Sequence, residues 1–119
     1  MKNNKILIFG SSGFLGSHLV SALEKKNEVI QFDANSPDSI KSKSKFIQGS
    51  ILDKESISKA MNGVDIVYHF AAMTDLDIVN NNPAHAIEVN IAGTSNVLDA
   101  CIQKKIERFI FSSSVYVYS

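Results

Sequence analysis

Short apolar runs alternate along the chain with longer segments whose apolar positions recur at helical spacing. Lys5–Gly10 (KILIFG), Glu28–Asp33 (EVIQFD), Lys45–Gly49 (KFIQG), Asp65–Phe70 (DIVYHF) and Arg108–Ser113 (RFIFSS) read as five strands. Phe14–Lys26 places Leu15, Leu19, Ala22 and Leu23 on one helical face, and Lys54–Asn62 brings Ile57, Ala60, Met61 and Val64 into phase. A long helix runs from about Pro83 to Lys105, with proline suiting its first turn. It carries two apolar stripes. Ile87, Ile91, Thr94, Leu98 and Ile102 are predicted to face the sheet. Ala86, Val89, Gly93, Val97 and Ala100, roughly 130° around the axis, are left for a second packing partner. The polar segment ANSPDSIKSKSK (34–45) reads as a loop.

Strands alternating with helices predict an α/β fold, a doubly wound parallel sheet of order 3-2-1-4-5 forming one domain over residues 1–119. Such sheets bind ligands at the carboxyl ends of their strands, beside the switch point between the first and fourth. The fifth strand is expected to be an apolar edge.

Composition narrows the function classes. Twelve basic and twelve acidic residues cancel, so the basic surface of a nucleic-acid partner is missing. Apolar runs are too short to span a membrane, and MKNNKILIFG lacks the apolar stretch of a signal peptide. With a single cysteine, Cys101, expected to pack on the long helix, these features favour the cytoplasm. His18, His69 and His85 are too scattered for a metal site. His69 is expected to be a satisfied histidine at a strand end, and His18 a surface residue. Asp75 and Asp77 are expected to be solvated loop acids.

The chemistry concentrates in GSSGFLG, where Gly10, Gly13 and Gly16 fall between the first strand and the first helix. Gly10 suits a tight turn, Gly13 leaves room for a pyrophosphate to approach the backbone, and Gly16 allows close packing of helix on strand. Exposed N–H groups and the helix dipole favour a phosphate there. Asp33 ends the second strand, seventeen residues beyond Gly16. A carboxylate at that place accepts from ribose hydroxyls and repels a 2′-phosphate, which favours NAD over NADP. The alternatives are a strand-end aspartate in a turn, and NADP binding rescued by Lys41, Lys43 and Lys45.

The spacing G-x-x-G-x-x-G resembles that of the extended short-chain dehydrogenase/reductase superfamily, in particular its NAD-dependent epimerase/dehydratase family. QGSILD (48–53), HFAA (69–72), VNIAGTSNVLDAC (89–101) and FSSSVYVYS (111–119) are similar to further motifs of that family, in the same order. The resemblance implies a Rossmann-type fold, an NAD cofactor and a nucleotide-sugar substrate. It implies that Ser114 is the catalytic serine, that Ser112 and Asn90 lie near the nicotinamide, and that Phe70, Ala71 and Ala72 run along the cofactor. Phe14 and Leu15 join the glycines, and Ser50 and Ile51 meet the adenine. Ser50 stands where the family has an aspartate, which implies weaker binding, and Ser119 stands where it has a glycine. The long helix is implied to join a homodimer interface, for which the second stripe is the candidate.

The family's Tyr-x-x-x-Lys pair, whose lysine lowers the tyrosine pKa for proton transfer, has no counterpart here. Neither Tyr68, Tyr116 nor Tyr118 has a lysine four positions on. The chain is therefore expected to be the cofactor half of an epimerase or dehydratase, inactive alone. Alternatives are a stand-alone dinucleotide-binding sensor and part of a hydroxysteroid- or flavonoid-type reductase.

Overall fold

Strand β1 (Lys5–Phe9) lies at the centre of a five-stranded parallel sheet of order β3-β2-β1-β4-β5, the predicted order. The others are β2 (Glu28–Asp33), β3 (Lys45–Gln48), β4 (Ile66–His69) and β5 (Arg108–Phe111). The computed structural model describes residues 3–38 and 42–118; Lys41 and Ser119 lie outside them. Phe9 sits opposite Phe32 on one side and His69 on the other, and His69 opposite Phe111. The carboxyl ends therefore finish level along one rim.

The central strands are apolar on both faces because both are covered. Ile6 and Ile8 join Val29, Ile66 and Tyr68 under α1 (Phe14–Leu23), which contributes Val20. Leu7 and Phe9 join Ile30, Phe32 and Val67 under α2 (Lys54–Ala60) and the long helix, around Ile57, Met61, Val97 and Cys101. The phase predicted for α2 holds, since Ile57, Ala60, Met61 and Val64 are all buried. Asp53 caps that helix, its carboxylate accepting from the Glu55 and Ser56 amides.

Two predicted faces are corrected. In α1 the buried line is Gly16 and Val20, flanked by half-buried Leu19 and Leu23, while Leu15 and Ala22 are exposed. Close approach at Gly16 sets that rotation and leaves Leu15 at the rim.

The long helix comprises α4 (Pro83–Ile87), a π-helical turn (Glu88–Gly93) and α5 (Thr94–Gln103). Its stripes are reversed except at Thr94, which is half-buried and meets His69 on β4. Ala86, Gly93, Val97 and Ala100 are buried, whereas Ile87, Ile91, Leu98 and Ile102 are 40–76% exposed. Small residues face inward because the helix presses against the segment after β3. A Cβ on Gly93 would stand 2.5 Å from Ile51 Cδ1, and Asn96 donates to the Ile51 carbonyl at 3.0 Å.

Residues 75–82 are also more ordered than a loop of solvated acids. Asp75 caps α3 (Leu76–Asn81), accepting from the amides of Asp77 and Ile78 at 3.0 and 3.1 Å. β5 is the predicted edge, with Phe109 and Ile110 half-buried and Phe111 57% exposed. A 3-10 turn follows at Val115–Tyr118. Among the described residues no helix is long and apolar enough to cross a membrane.

Candidate functional site

At the rim, β1 turns into α1 through the glycine loop. Gly10 has φ +81°, and a Cβ there would stand 2.5 Å from the Phe70 carbonyl carbon. A side chain at this position meets both backbone strain and a backbone wall. A Cβ on Gly16 would run into the Gly10 carbonyl oxygen. Gly13 differs: its φ is −77°, and the nearest atom to an added Cβ is Gly10 O at 3.4 Å. Gly13 is an exposed N-cap without a side-chain cap, and the first turn of α1 has no acidic residue. Among the described residues no side chain caps the amides that open α1, which lie at the positive end of the helix dipole.

Two clefts meet at this loop, sharing Gly10, Gly13, Phe70, Ala71 and Ala72. The first, of about 440 Å³, lies over β1 and β2 and is bordered by Ser12, Asp33, Asn35, Ser50 and Ile51. Asp33 is fixed at its mouth. Its Oδ2 accepts from the Ser12 amide and its Oδ1 from the Asn35 amide, both at 2.9 Å. The Ser12 hydroxyl donates to the Asn35 carbonyl at 2.7 Å, closing the turn around the carboxylate. Each oxygen of Asp33 keeps capacity for a further donor. Ser50 Oγ accepts from the Leu52 amide at 3.1 Å and belongs to the turn that leads into α2.

The second cleft, of about 600 Å³, lies over β1, β4 and β5. Phe14, Leu15 and Gly16 form one wall, and His69, Thr74, Ser112, Ser113 and Ser114 border the rest. Phe14 is 80% exposed with its ring 4.8 Å from that of His18, an apolar surface at the cleft mouth. Ser114 is exposed and Ser112 half-buried.

Of the site residues singled out from the sequence, Asn90 alone borders neither cleft. Its amide is engaged at both ends: Oδ1 accepts from the Met73 amide at 2.8 Å, and Nδ2 donates to the Met73 carbonyl at 3.0 Å. Asn90 thereby ties the π-helical turn to the segment after β4. His69 is only half satisfied, contrary to expectation. It is 1% exposed, Nε2 lies 3.0 Å from Thr94 Oγ1, and Nδ1 has no partner among the described residues. Burial pushes its pKa down to about 4, so the ring is neutral. Cys101 is buried as expected, and burial pushes its thiol up to about 11. Ser12, Asn35, Met73 and Thr94 are among the contributors that sequence reading misses; Ser12 and Thr94 lie inside quoted motifs but act through hydrogen bonds that no motif displays.

Comparison with known proteins places this geometry. The chain is 39% identical over 118 residues to the short-chain dehydrogenase/reductase family 42E member 1 of Macaca fascicularis, covering 94% of the chain and 30% of that protein. It is 33% identical to a 3-beta-hydroxysteroid dehydrogenase of Mycolicibacterium neoaurum, covering 92% of the chain and 32% of that protein. The chain thus spans about a third of the length of these relatives. Among solved structures it is similar to a UDP-glucose-4-epimerase from Stenotrophomonas maltophila with bound NAD and formylated UDP-arabinopyranose, with TM-score 0.86 and 27% identity, covering 98% of the chain and 39% of that one. The model of the NAD dependent epimerase/dehydratase family matches residues 6–119, and the chain belongs to that family.

Proposed function

We propose that this chain is the NAD-binding half of an enzyme that transforms a nucleotide sugar by transient hydride transfer. The observation that carries the reading is the pairing of an open Gly13 with a fixed Asp33 across one cleft. The residues fit the cofactor: Gly13 leaves space where a pyrophosphate would lie against the uncapped start of α1. Asp33 accepts from ribose hydroxyls, beside Ser50 and Ile51 at the adenine. Gly10, Phe70, Ala71 and Ala72 floor the passage between the clefts. Phe14, Leu15 and Ser112 flank the nicotinamide end, and Gly16 keeps the helix close to the strand.

The bound cofactor supplies a site that accepts and returns a hydride. The residues of this chain hold and orient it, and Ser114 offers a hydroxyl to the reacting sugar at the open side of the second cleft. The Tyr-x-x-x-Lys pair is absent from residues 1–119, so this segment supplies binding and the serine but not the proton transfer. NAD is preferred to NADP because a 2′-phosphate, carrying about −1.5 to −2 charges, would lie against the Asp33 carboxylate.

A nucleotide sugar is the substrate class found with the similar epimerase structure. The hydroxysteroid dehydrogenase relative favours a second reading, in which the hydride is exchanged with a steroid. The long helix serves a homodimer through Ile87, Ile91, Leu98 and Ile102, the stripe that is exposed, in place of the stripe that the core absorbs. The test of cofactor binding is amide-shift mapping with NAD. Shifts should cluster at residues 10–16, Asp33, Ile51 and residues 70–72; shifts scattered elsewhere, or none, would contradict the reading.

A further inference from the structure

Two groups left over from cofactor binding meet beneath the second cleft: the His69 imidazole on β4 and the Thr94 hydroxyl at the start of α5. The proton on Thr94 is committed, because Oγ1 donates to the Asn90 carbonyl at 2.7 Å. Thr94 Oγ1 must then accept from His69 at 3.0 Å, which puts the imidazole proton on Nε2. Nδ1 is left as a bare acceptor, so the Thr94 contact alone orients the polar side of the ring among the described residues.

The surroundings of the ring are otherwise aromatic, with Phe9, Phe109 and Phe111 centroids 6.1, 6.2 and 5.9 Å away. A hydrocarbon side chain would fill such a place without the desolvation cost of an imidazole. What the imidazole adds is a directed bond into the helix. From Thr94 the connection continues to Asn90, inside the π-helical turn, and from Asn90 to both backbone groups of Met73. Met73 follows Ala71 and Ala72, the segment that both clefts share. Single π-helical turns recur at functional sites, where they offset backbone groups from the helical ladder.

The geometry points to His69 and Thr94 as positioning residues that set the place of the 71–73 wall for a dinucleotide, by locking the π-helical turn to β4. Neither residue has to touch the ligand to do so. The inference rests on the NAD-binding reading for its ligand. Its structural part stands on the apo chain.

The test uses a double variant and a conservative control, chosen over the single change Thr94→Val. Thr94→Val keeps the shape and removes the hydroxyl, at the cost of an unpaired buried N–H on His69. The double variant His69→Phe/Thr94→Val removes both polar partners, which preserves folding stability better than the single change. Thr94→Ser keeps the hydroxyl. In the double variant, amide hydrogen exchange at Met73 should quicken and the Kd for NAD should rise about fivefold, the scale of one lost directing hydrogen bond. Thr94→Ser should stay within about twofold of the wild type on both measures. A double variant with wild-type Met73 exchange and wild-type Kd would overturn the inference and leave the pair a packing feature. Failure of the wild type to bind NAD would instead overturn the cofactor reading, and Met73 exchange would still decide the positioning role.

Discussion

Asp33 Oδ2 accepts the amide hydrogen of Ser12 at 2.9 Å, which ties the end of β2 to the glycine loop. In the proposed site, the carboxylate that would select the cofactor is thus hydrogen-bonded to the backbone that would receive its phosphates. Asp33→Asn keeps an acceptor oxygen but removes the charge. It should weaken NAD binding by about tenfold, near 1.4 kcal/mol, and narrow or reverse the preference over NADP. Calorimetric titration of both cofactors checks it.

The glycines separate structure from binding. Gly13→Val adds a side chain where the nearest atom to its Cβ is 3.4 Å away, so the melting temperature should change by no more than a few degrees. NAD binding should be lost, because the valine would fill the proposed phosphate position. Gly10→Ala and Gly16→Ala drive a Cβ into backbone and should destabilise the fold before any ligand is added. Thermal melts beside titrations distinguish the two behaviours.

The buried imidazole makes stability depend on pH with a definite sign. The His69 pKa falls from 6.5 in the unfolded chain to about 4 in the fold. Below the unfolded value the unfolded chain takes up a proton that the folded chain refuses. The contribution is therefore fully present above about pH 6.5 and is lost as pH falls through about 4. At most about 3 kcal/mol is involved, because a difference of one in pKa between the two states corresponds to about 1.36 kcal/mol. Urea unfolding of wild type and His69→Phe should give stabilities whose difference moves across that window and is flat above it.

The long helix yields a paired prediction. Val97 is 0% exposed in the core, so Val97→Asp should unfold the chain by burying an unpaired charge, and it says nothing about association. Ile91→Asp or Ile102→Asp changes the exposed stripe. Either should leave the melting temperature nearly unchanged and lower the mass seen by light scattering if the chain pairs through that face. An unchanged mass from a dimeric wild type would contradict the assignment.

Much of this architecture is legible in the sequence for a physical reason. The sheet is buried on both sides, so its strands read as short apolar runs such as ILIF, and glycines that cannot carry a Cβ mark the turn. The faces of α1 and the long helix are less legible. Counting apolar residues favours large ones, yet Gly16, Gly93 and Ala100 face inward because the backbones come close there, while Leu15, Ile91 and Ile102 remain outside. The π-helical turn and the His69–Thr94–Asn90–Met73 chain leave no periodic trace. They depend on which groups meet across 17 to 25 residues of sequence. The cleft residues are readable because they sit at strand ends. The engagement of Asn90 with Met73 is not, since an asparagine on a helix looks the same whether it faces a ligand or a carbonyl.

Calorimetric titration of the folded chain with NAD and then NADP, wild type beside Gly13→Val, decides whether the glycine loop and Asp33 form a dinucleotide site. Saturable binding of NAD, weaker binding of NADP and none in Gly13→Val is the expected result. No heat from the wild type at millimolar NAD, or equal binding by Gly13→Val, would contradict it.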